Sequence, residues 1–233
     1  QTAGFMPDYD PLTGTYYGRA IIETKYPGQG SFTNLTITGD VDIQGGSWMH
    51  PANTGDHEAV DRLSVRVGNN FTLGSLAMID LDQRGFAAGR GPGAGSNSNR
   101  GGSSTYAPSH GGLGGIGDDA TPVPAYGSAF RPTTLGSGGS GRGGGNLELI
   151  VGGLARIEGV IDADGHVPSG DTHPGSGGSV LVRAAAFDGQ GATVARGGRG
   201  YRSSGGGRIA LIATGSNQEP SGDMTLSVRA GAS

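Results

Sequence analysis

Short stretches in which apolar and polar residues alternate recur along this chain from residue 35 to its end. In residues 63–67 and again in residues 147–151, aliphatic side chains stand at every second position. Such alternation is typical of a half-buried β-strand, and helix-period patterns are nearly absent. The pattern therefore predicts an all-β protein. Its five strand-bearing segments start at Leu35, Leu63, Leu147, Val180 and Ile209.

The five segments are repeats of one another. Residues 79–82 (Ile-Asp-Leu-Asp) align with residues 161–164 (Ile-Asp-Ala-Asp), and residues 67–69 align with residues 151–153. The segment starts are 28, 84, 33 and 29 residues apart, and the longest interval is one repeat plus an insertion. A repeat of about 30 residues with two or three short strands predicts one coil of a parallel β-helix, or β-solenoid, whose stacked coils share a core.

Glycine supplies 50 of the 233 residues, roughly three times its ordinary share. Disorder usually accompanies high net charge, whereas the formal net charge here is only −4, so the alternating segments favour a folded chain. The clusters at residues 175–178 and 205–207 directly precede strand segments. We expect these glycines to form corners of the coil through positive φ angles.

The sequence predicts an N-terminal capping or linker segment at residues 1–33 and a solenoid at 34–233, interrupted at about 85–145. Four of the seven tyrosines (Tyr9, Tyr16, Tyr17 and Tyr26) lie in the first segment, where they could cap the first coil. The insertion has 20 glycines in 61 positions. It is either a flexible loop or an ordered lobe of extended, polyproline II-like strands in which glycine permits close backbone packing.

The absence of cysteine excludes a disulfide scaffold and a thiolate metal site. No apolar run approaches the roughly 18 residues that span a membrane, so no transmembrane segment is expected. No signal segment remains at Gln1, which indicates a processed or excised chain, and the end just after a strand-like stretch favours a fragment. The slightly acidic balance argues against a nucleic-acid partner.

Six short motifs follow one another along the chain. They are LSVRVGNNFTL at 63–73, IDLD at 79–82, SHGGLGG at 109–115, YGS at 126–128, GSGG at 136–139 and GGRIAL at 206–211. Over residues 34–213 the chain resembles the glycine-rich repeat region of very large exported proteins of bacteria. The resemblance implies a β-helix-like fold and extracellular or cell-surface placement, and it implies no reaction.

Paired carboxylates are the main candidates for chemistry. Asp80 and Asp82 occupy the same repeat positions as Asp162 and Asp164, so the four should project from neighbouring coils on the outer face. Carboxylates at such spacing can bind Ca²⁺ together with backbone carbonyls. Two carboxylates about 5–9 Å apart can also hydrolyse glycosidic bonds. The third alternative is that they solvate turns beside glycine.

Other polar residues give weaker signals. His166 and His173 share one connection, where we expect exposed polar turns rather than a metal site. Arginines scattered at turns are expected to bridge aspartates between coils or to bind acidic glycans, and tyrosines and Trp48 could stack on sugars. The arginines in question are Arg90, Arg100, Arg142, Arg199, Arg202 and Arg208.

These observations predict a structural or adhesive module of a secreted or cell-surface bacterial protein, such as a self-associating filament or a stalk. The expected partners are other copies, other extracellular modules or a polysaccharide. We expect no catalytic residue and no required cofactor, with Ca²⁺ at the four aspartates as the candidate ion. The alternative is a carbohydrate-binding or carbohydrate-degrading β-helix, a polysaccharide lyase or hydrolase.

Overall fold

The structure is a computed structural model that describes residues 4–10, 15–55, 58–95, 105–117, 120–166, 173–216 and 221–231. These residues form strands, turns and extended segments but no helix, and hence none long and apolar enough to cross a membrane. Within them, the strands are β1 (Gly4–Asp10), β2 (Thr15–Ile21), β3 (Thr24–Lys25), β4 (Leu35–Ile37), β5 (Val41–Met49), β6 (Asp61–Val67), β7 (Phe71–Asp80), β8 (Asn146–Val151), β9 (Leu154–Ile157), β10 (Val160–Asp162), β11 (Ser179–Ala184), β12 (Ala186–Asp188), β13 (Ala192–Val194), β14 (Arg208–Ala213) and β15 (Thr225–Ser227).

Parallel pairing between successive coils confirms the predicted β-solenoid. One sheet has the order β1-β2-β5-β7-β10-β13-β15, with β9 and β12 continuing the pairing from the first half of β7. The other sheet has the order β14-β11-β8-β6-β3, with β4 also on β6. Only the β1–β2 and β3–β6 pairs of the described strands are antiparallel. The chain makes about six turns, with equivalent positions about 32 residues apart.

The strand registers confirm two alignments made from the sequence and correct a third. Val67 pairs with Val151, and Ile79 pairs with Ile161. The first segment is offset, however, because Leu35 pairs with Val65 rather than with the start of the next segment. A shift of two residues keeps the same side chains on the inner face, so alternation alone cannot distinguish the two registers.

Stacked rows of aliphatic side chains form the core. One row on the six-stranded sheet contains Leu63, Leu147 and Val180, each fully buried and each paired in register with the next. Strands in a sheet lie about 4.8 Å apart, so each row is a continuous column of apolar side chains. A single coil has no partner for its row, and stacking therefore supplies the core.

A third side of each coil is rich in glycine, and we call residues 136–145, 173–178 and 197–207 the glycine side. Backbone hydrogen bonds join its coils, from Gly144 N to Ser176 O (2.9 Å) and from Gly177 N to Gly205 O (3.1 Å). The expectation of positive φ in the clusters at 175–178 and 205–207 is wrong, since none of their glycines has one. Glycine is needed there because the backbones touch: a Cβ on Gly178 would lie 2.0 Å from the Gly145 carbonyl oxygen.

The described parts of the predicted insertion that precede the glycine side, residues 85–95, 105–117 and 120–135, pack against it, whereas residues 136–145 are part of that side. Gly111 N donates to Gly206 O (2.8 Å), and Gly205 N donates to Pro108 O (2.9 Å). Leu135 is fully buried beneath this layer. The described insertion is therefore hydrogen-bonded to the coils through extended backbone segments.

The N-terminal segment also pairs with the coils, since β2 lies parallel to β5 and β3 lies antiparallel to β6. The Tyr26 hydroxyl donates to the Thr133 carbonyl oxygen (2.8 Å), which ties this segment to the insertion. The side chains of Tyr9, Tyr16 and Tyr17 lie outside the described part of the structure.

Candidate functional site

The structure brings the four predicted aspartates together where β7 and β10 end. Asp80 pairs in register with Asp162. Leu81 N donates to Asp162 O (2.7 Å), and the pairing continues so that Asp82 lies beside Asp164. All four are half-buried on the outer face. The strand-to-strand distance of about 4.8 Å sets the separation of the two pairs along the solenoid axis.

Burial, and secondarily the crowding of carboxylates, raises the pKa of two of the four aspartates. Burial, followed by the charge of Asp164, raises the pKa of Asp162 to about 6, although the Asp164 backbone N–H donates to its Oδ1 (2.9 Å). Burial also raises the pKa of Asp82, and the amide of Gln83 partly offsets this by donating to Oδ2 (2.9 Å). Neighbouring carboxylates that cannot all ionise freely are a recurrent feature of both metal and acid–base sites.

An arginine of the next coil neutralises one corner of this array. Arg196 Nη2 lies 2.6 Å from Asp164 Oδ2, and Arg196 Nε donates to the same oxygen (2.7 Å). The described residues contain no group of three or more acidic or histidine side chains arranged to hold a metal ion. A calcium site at Asp80, Asp82, Asp162 and Asp164 therefore stays a prediction. Calcium binding would require either that Asp164 release Arg196 or that the other three aspartates bind the ion without it.

Three of the arginines predicted to bridge aspartates instead donate to backbone carbonyl oxygens. Arg142 and Arg208 donate instead to the backbone carbonyls of Asn53 (2.8 Å) and Tyr126 (3.0 Å). Arg202 likewise donates to a backbone carbonyl, and Arg100 lies outside the described residues. Two aspartate–arginine pairs between neighbouring coils of the described residues join Arg196 to Asp164, and Arg156 to Asp188 (2.5 Å).

Trp48 is half-buried. It packs against the aliphatic core and meets Phe71 edge-on, with ring centroids 6.4 Å apart. Stacking of Trp48 on a sugar stays a prediction.

Three histidines are fully buried, which the sequence analysis missed. His173 has no exposed surface, so the expectation that it lies in an exposed turn is wrong, whereas His166 is half-buried. His50 donates through Nδ1 to the Pro51 carbonyl (2.7 Å) and accepts at Nε2 from the Asn146 backbone N–H (3.2 Å). These bonds select the neutral ring.

His110 has the same character. Its Nδ1 lies 2.6 Å from the Gly177 carbonyl oxygen and its Nε2 lies 2.8 Å from the Thr134 hydroxyl, which donates to it. Burial lowers the pKa of His50 to about 3 and that of His110 to about 4. Both histidines therefore act as neutral hydrogen-bonding links between the coils and the segments that cover them.

A buried ion pair was also missed. Arg62 Nη1 lies 2.9 Å from Glu148 Oε2, with side-chain exposures of 10% and 7%, and the guanidinium lies 5.2 Å from the centre of the Tyr26 ring. Glu148 occupies an outward position on β8 that the insertion covers. In the sequence, Glu148 is recognisable only as a charged residue within a strand pattern. Nothing in the local sequence indicates that the insertion folds over it.

No protein-family description, no curated protein and no solved structure matches this chain.

Proposed function

We propose that the chain is a structural and adhesive module of a secreted or cell-surface bacterial protein, in which the solenoid serves as a rigid stalk. The observation that carries this proposal is the continuous stack of about six coils, joined on three sides by backbone hydrogen bonds and filled by in-register aliphatic columns. Such a rod resists bending because every coil is bonded along its length to the next. The resemblance to glycine-rich repeat regions of large exported bacterial proteins supports the same assignment.

The state of the polar residues supports a structural role. Asp164 and Asp188 are in ion pairs with arginines of neighbouring coils, and Asp80 and Asp162 accept hydrogen bonds from backbone N–H groups two residues further on. Each of these contacts links coils or stabilises a strand end. Self-association belongs to the proposal because the two sheets end at β14 and β15, and strand edges recruit further strands.

Sedimentation velocity and circular dichroism test the proposal. About six coils spaced about 4.8 Å apart span roughly 30 Å, so a long stalk requires end-to-end association of copies. We expect a predominantly β spectrum, a cooperative thermal transition and end-to-end oligomers at rising protein concentration. A random-coil spectrum, or a protein that stays monomeric at every concentration, would contradict the stalk.

The second candidate is a polysaccharide lyase or hydrolase, and one observation favours it. The pKa of Asp162 is raised to about 6 beside the paired Asp80, as in acid–base pairs of carboxylates whose environments separate their proton affinities. Product release from neutral and acidic polysaccharides, lost in Asp80→Asn and Asp162→Asn, would replace the structural assignment with the enzymatic one. Wild-type protein that releases no product would remove the enzymatic candidate.

Calcium binding is tested separately. If the four aspartates bind Ca²⁺, the melting temperature at pH 7 rises with millimolar CaCl₂, and Asp162→Asn removes the rise. A melting temperature that is the same in CaCl₂ and in excess chelator would dispose of the calcium prediction.

A further inference from the structure

A groove on the outer face of the six-stranded sheet combines positive charge with an exposed aromatic ring. Its floor is one in-register row of outward side chains from successive coils, Arg66, Ile150, Arg183 and Ile212. Phe130 and Arg131 of the insertion form the opposite wall. The groove encloses about 180 Å³. This volume is below the roughly 300 Å³ of a typical small-molecule pocket, so it fits one unit of a longer ligand.

The guanidinium groups of the groove are available to a ligand. Arg66 and Arg183 are exposed, and their side chains make no hydrogen bond or ion pair with any described residue. Arg131 is 74% exposed, and its Nη2 lies 3.4 Å from Glu148 Oε1. The other oxygen of Glu148 is bound by the buried Arg62. The three arginines of the groove and the buried Arg62 carry four positive charges against the one negative charge of Glu148, a local excess of three on a chain whose total is −4.

The spacing of the charges indicates a repeating ligand. Arg66 and Arg183 are two coils apart, with Ile150 between them, which separates their backbones by roughly 10 Å along the solenoid axis. The guanidinium fork matches carboxylate and sulfate oxygens through paired hydrogen bonds. A ligand that satisfies both arginines must therefore carry anions at intervals along a chain.

The apolar surface of the groove indicates what lies between those anions. Phe130 is 89% exposed, and Ile150 separates the two arginines of the floor. A sugar ring carries C–H groups that pack against an aromatic face, while its carboxylate or sulfate reaches the arginines. We propose that this groove binds an acidic polysaccharide, a chain of uronate or sulfated sugar residues running along the solenoid axis.

Single-stranded nucleic acid fits the groove less well. It is normally bound by several aromatic platforms on which successive bases stack, whereas Phe130 is the one aromatic residue lining this groove. This inference gives a ligand class to the adhesive part of the proposed function.

Isothermal titration calorimetry tests the proposal with four probes: polygalacturonate, dextran sulfate, neutral dextran and a single-stranded oligonucleotide. We expect binding of one or both acidic polysaccharides, weakening with salt, and no binding of dextran. Each charge-assisted contact is worth about tenfold in affinity, so Arg66→Gln/Arg183→Gln should weaken binding by about a hundredfold. Phe130→Ala should weaken it while keeping its salt dependence.

Arg229→Gln is the control, because Arg229 is an exposed arginine outside the groove and its substitution removes one charge, as each of the two groove substitutions does. It should bind like the wild type. The proposal is overturned if no acidic polysaccharide binds, if Arg229→Gln weakens binding as much as the double variant, or if the oligonucleotide binds more tightly than either polysaccharide. A protein that keeps its β spectrum, its end-to-end oligomers and its melting temperature while failing these tests would lose its ligand class but keep its structural role.

Discussion

Replacing Gly178 by alanine tests the claim that close backbone approach holds the glycine side together. A Cβ at this position would lie 2.0 Å from Gly145 O and 2.6 Å from the Gly144 carbonyl carbon, both of them backbone atoms. Ordinary contact begins at 3.4 Å, so the two coils must separate by about 1.4 Å. No side-chain rotation can relieve the overlap.

The separation acts on the hydrogen bonds that cross this point. Ser179 N donates to Gly145 O (2.9 Å), and Gly178 N donates to Ala163 O (2.7 Å). Overpacking of a rigid site costs about 1–3 kcal/mol, and each weakened hydrogen bond adds about 1 kcal/mol. We therefore expect Gly178→Ala to lower the free energy of unfolding by about 3–5 kcal/mol, or the melting temperature by about 10 °C.

Gly39→Ala is the matched control. A Cβ on Gly39 meets nothing within 4 Å and its φ is not positive, so alanine there should leave the melting temperature unchanged or slightly raised. Differential scanning calorimetry of both variants against the wild type measures the difference. Equal melting temperatures for the two variants would refute the argument from close approach.

Three further predictions concern buried and crowded charges. Because the pKa of Asp162 is raised to about 6, ionisation of this carboxyl costs stability as the pH rises from about 4 to 6. In the presence of chelator, Asp162→Asn should therefore raise the free energy of unfolding by about 1 kcal/mol at pH 7 and by little at pH 4. An equal effect at both pH values would contradict this. Glu148→Gln leaves Arg62 charged, buried and without its carboxylate, which should lower the free energy of unfolding in urea by about 3–5 kcal/mol. The double variant Arg62→Met/Glu148→Leu should recover part of this loss. A Glu148→Gln variant with unchanged stability would argue against a role for the ion pair. Because the pKa of His50 is lowered to about 3, its contribution to stability is complete above pH 6.5 and is lost as the pH falls from there. His50→Gln should therefore flatten the decline in melting temperature between pH 6.5 and 4. An unchanged slope would show that the hydrogen bond from the Asn146 backbone N–H does not hold the ring neutral.

The candidate sites were predictable to different degrees. The four-aspartate array followed from the repeat, because residues at one position of successive repeats must lie side by side once coils stack. The Arg66–Arg183 row has the same signal, since each arginine stands three residues after the start of its strand segment. Phe130 and Arg131 carry no such signal, because the insertion has no repeat to align with.

The alternation of apolar residues and the repeat length determined the class of fold. Period-2 patterns specify strands with one buried face, and a 30-residue repeat leaves those strands no partner except the next coil. The sequence also predicts an insertion, because one interval between repeats lengthens from about 30 to 84 residues. These conclusions depend on local and repeating features that are present in the chain itself.

The tertiary structure alone decided which polar groups are buried and why the glycines are needed. His50, His110 and Glu148 look like exposed residues in the sequence, but the insertion and the neighbouring coils cover them. The glycine clusters lack positive φ and instead allow backbones from different coils to touch. Such contacts join residues 30 to 100 positions apart, and no local pattern records the distance between segments that meet only after the chain has coiled.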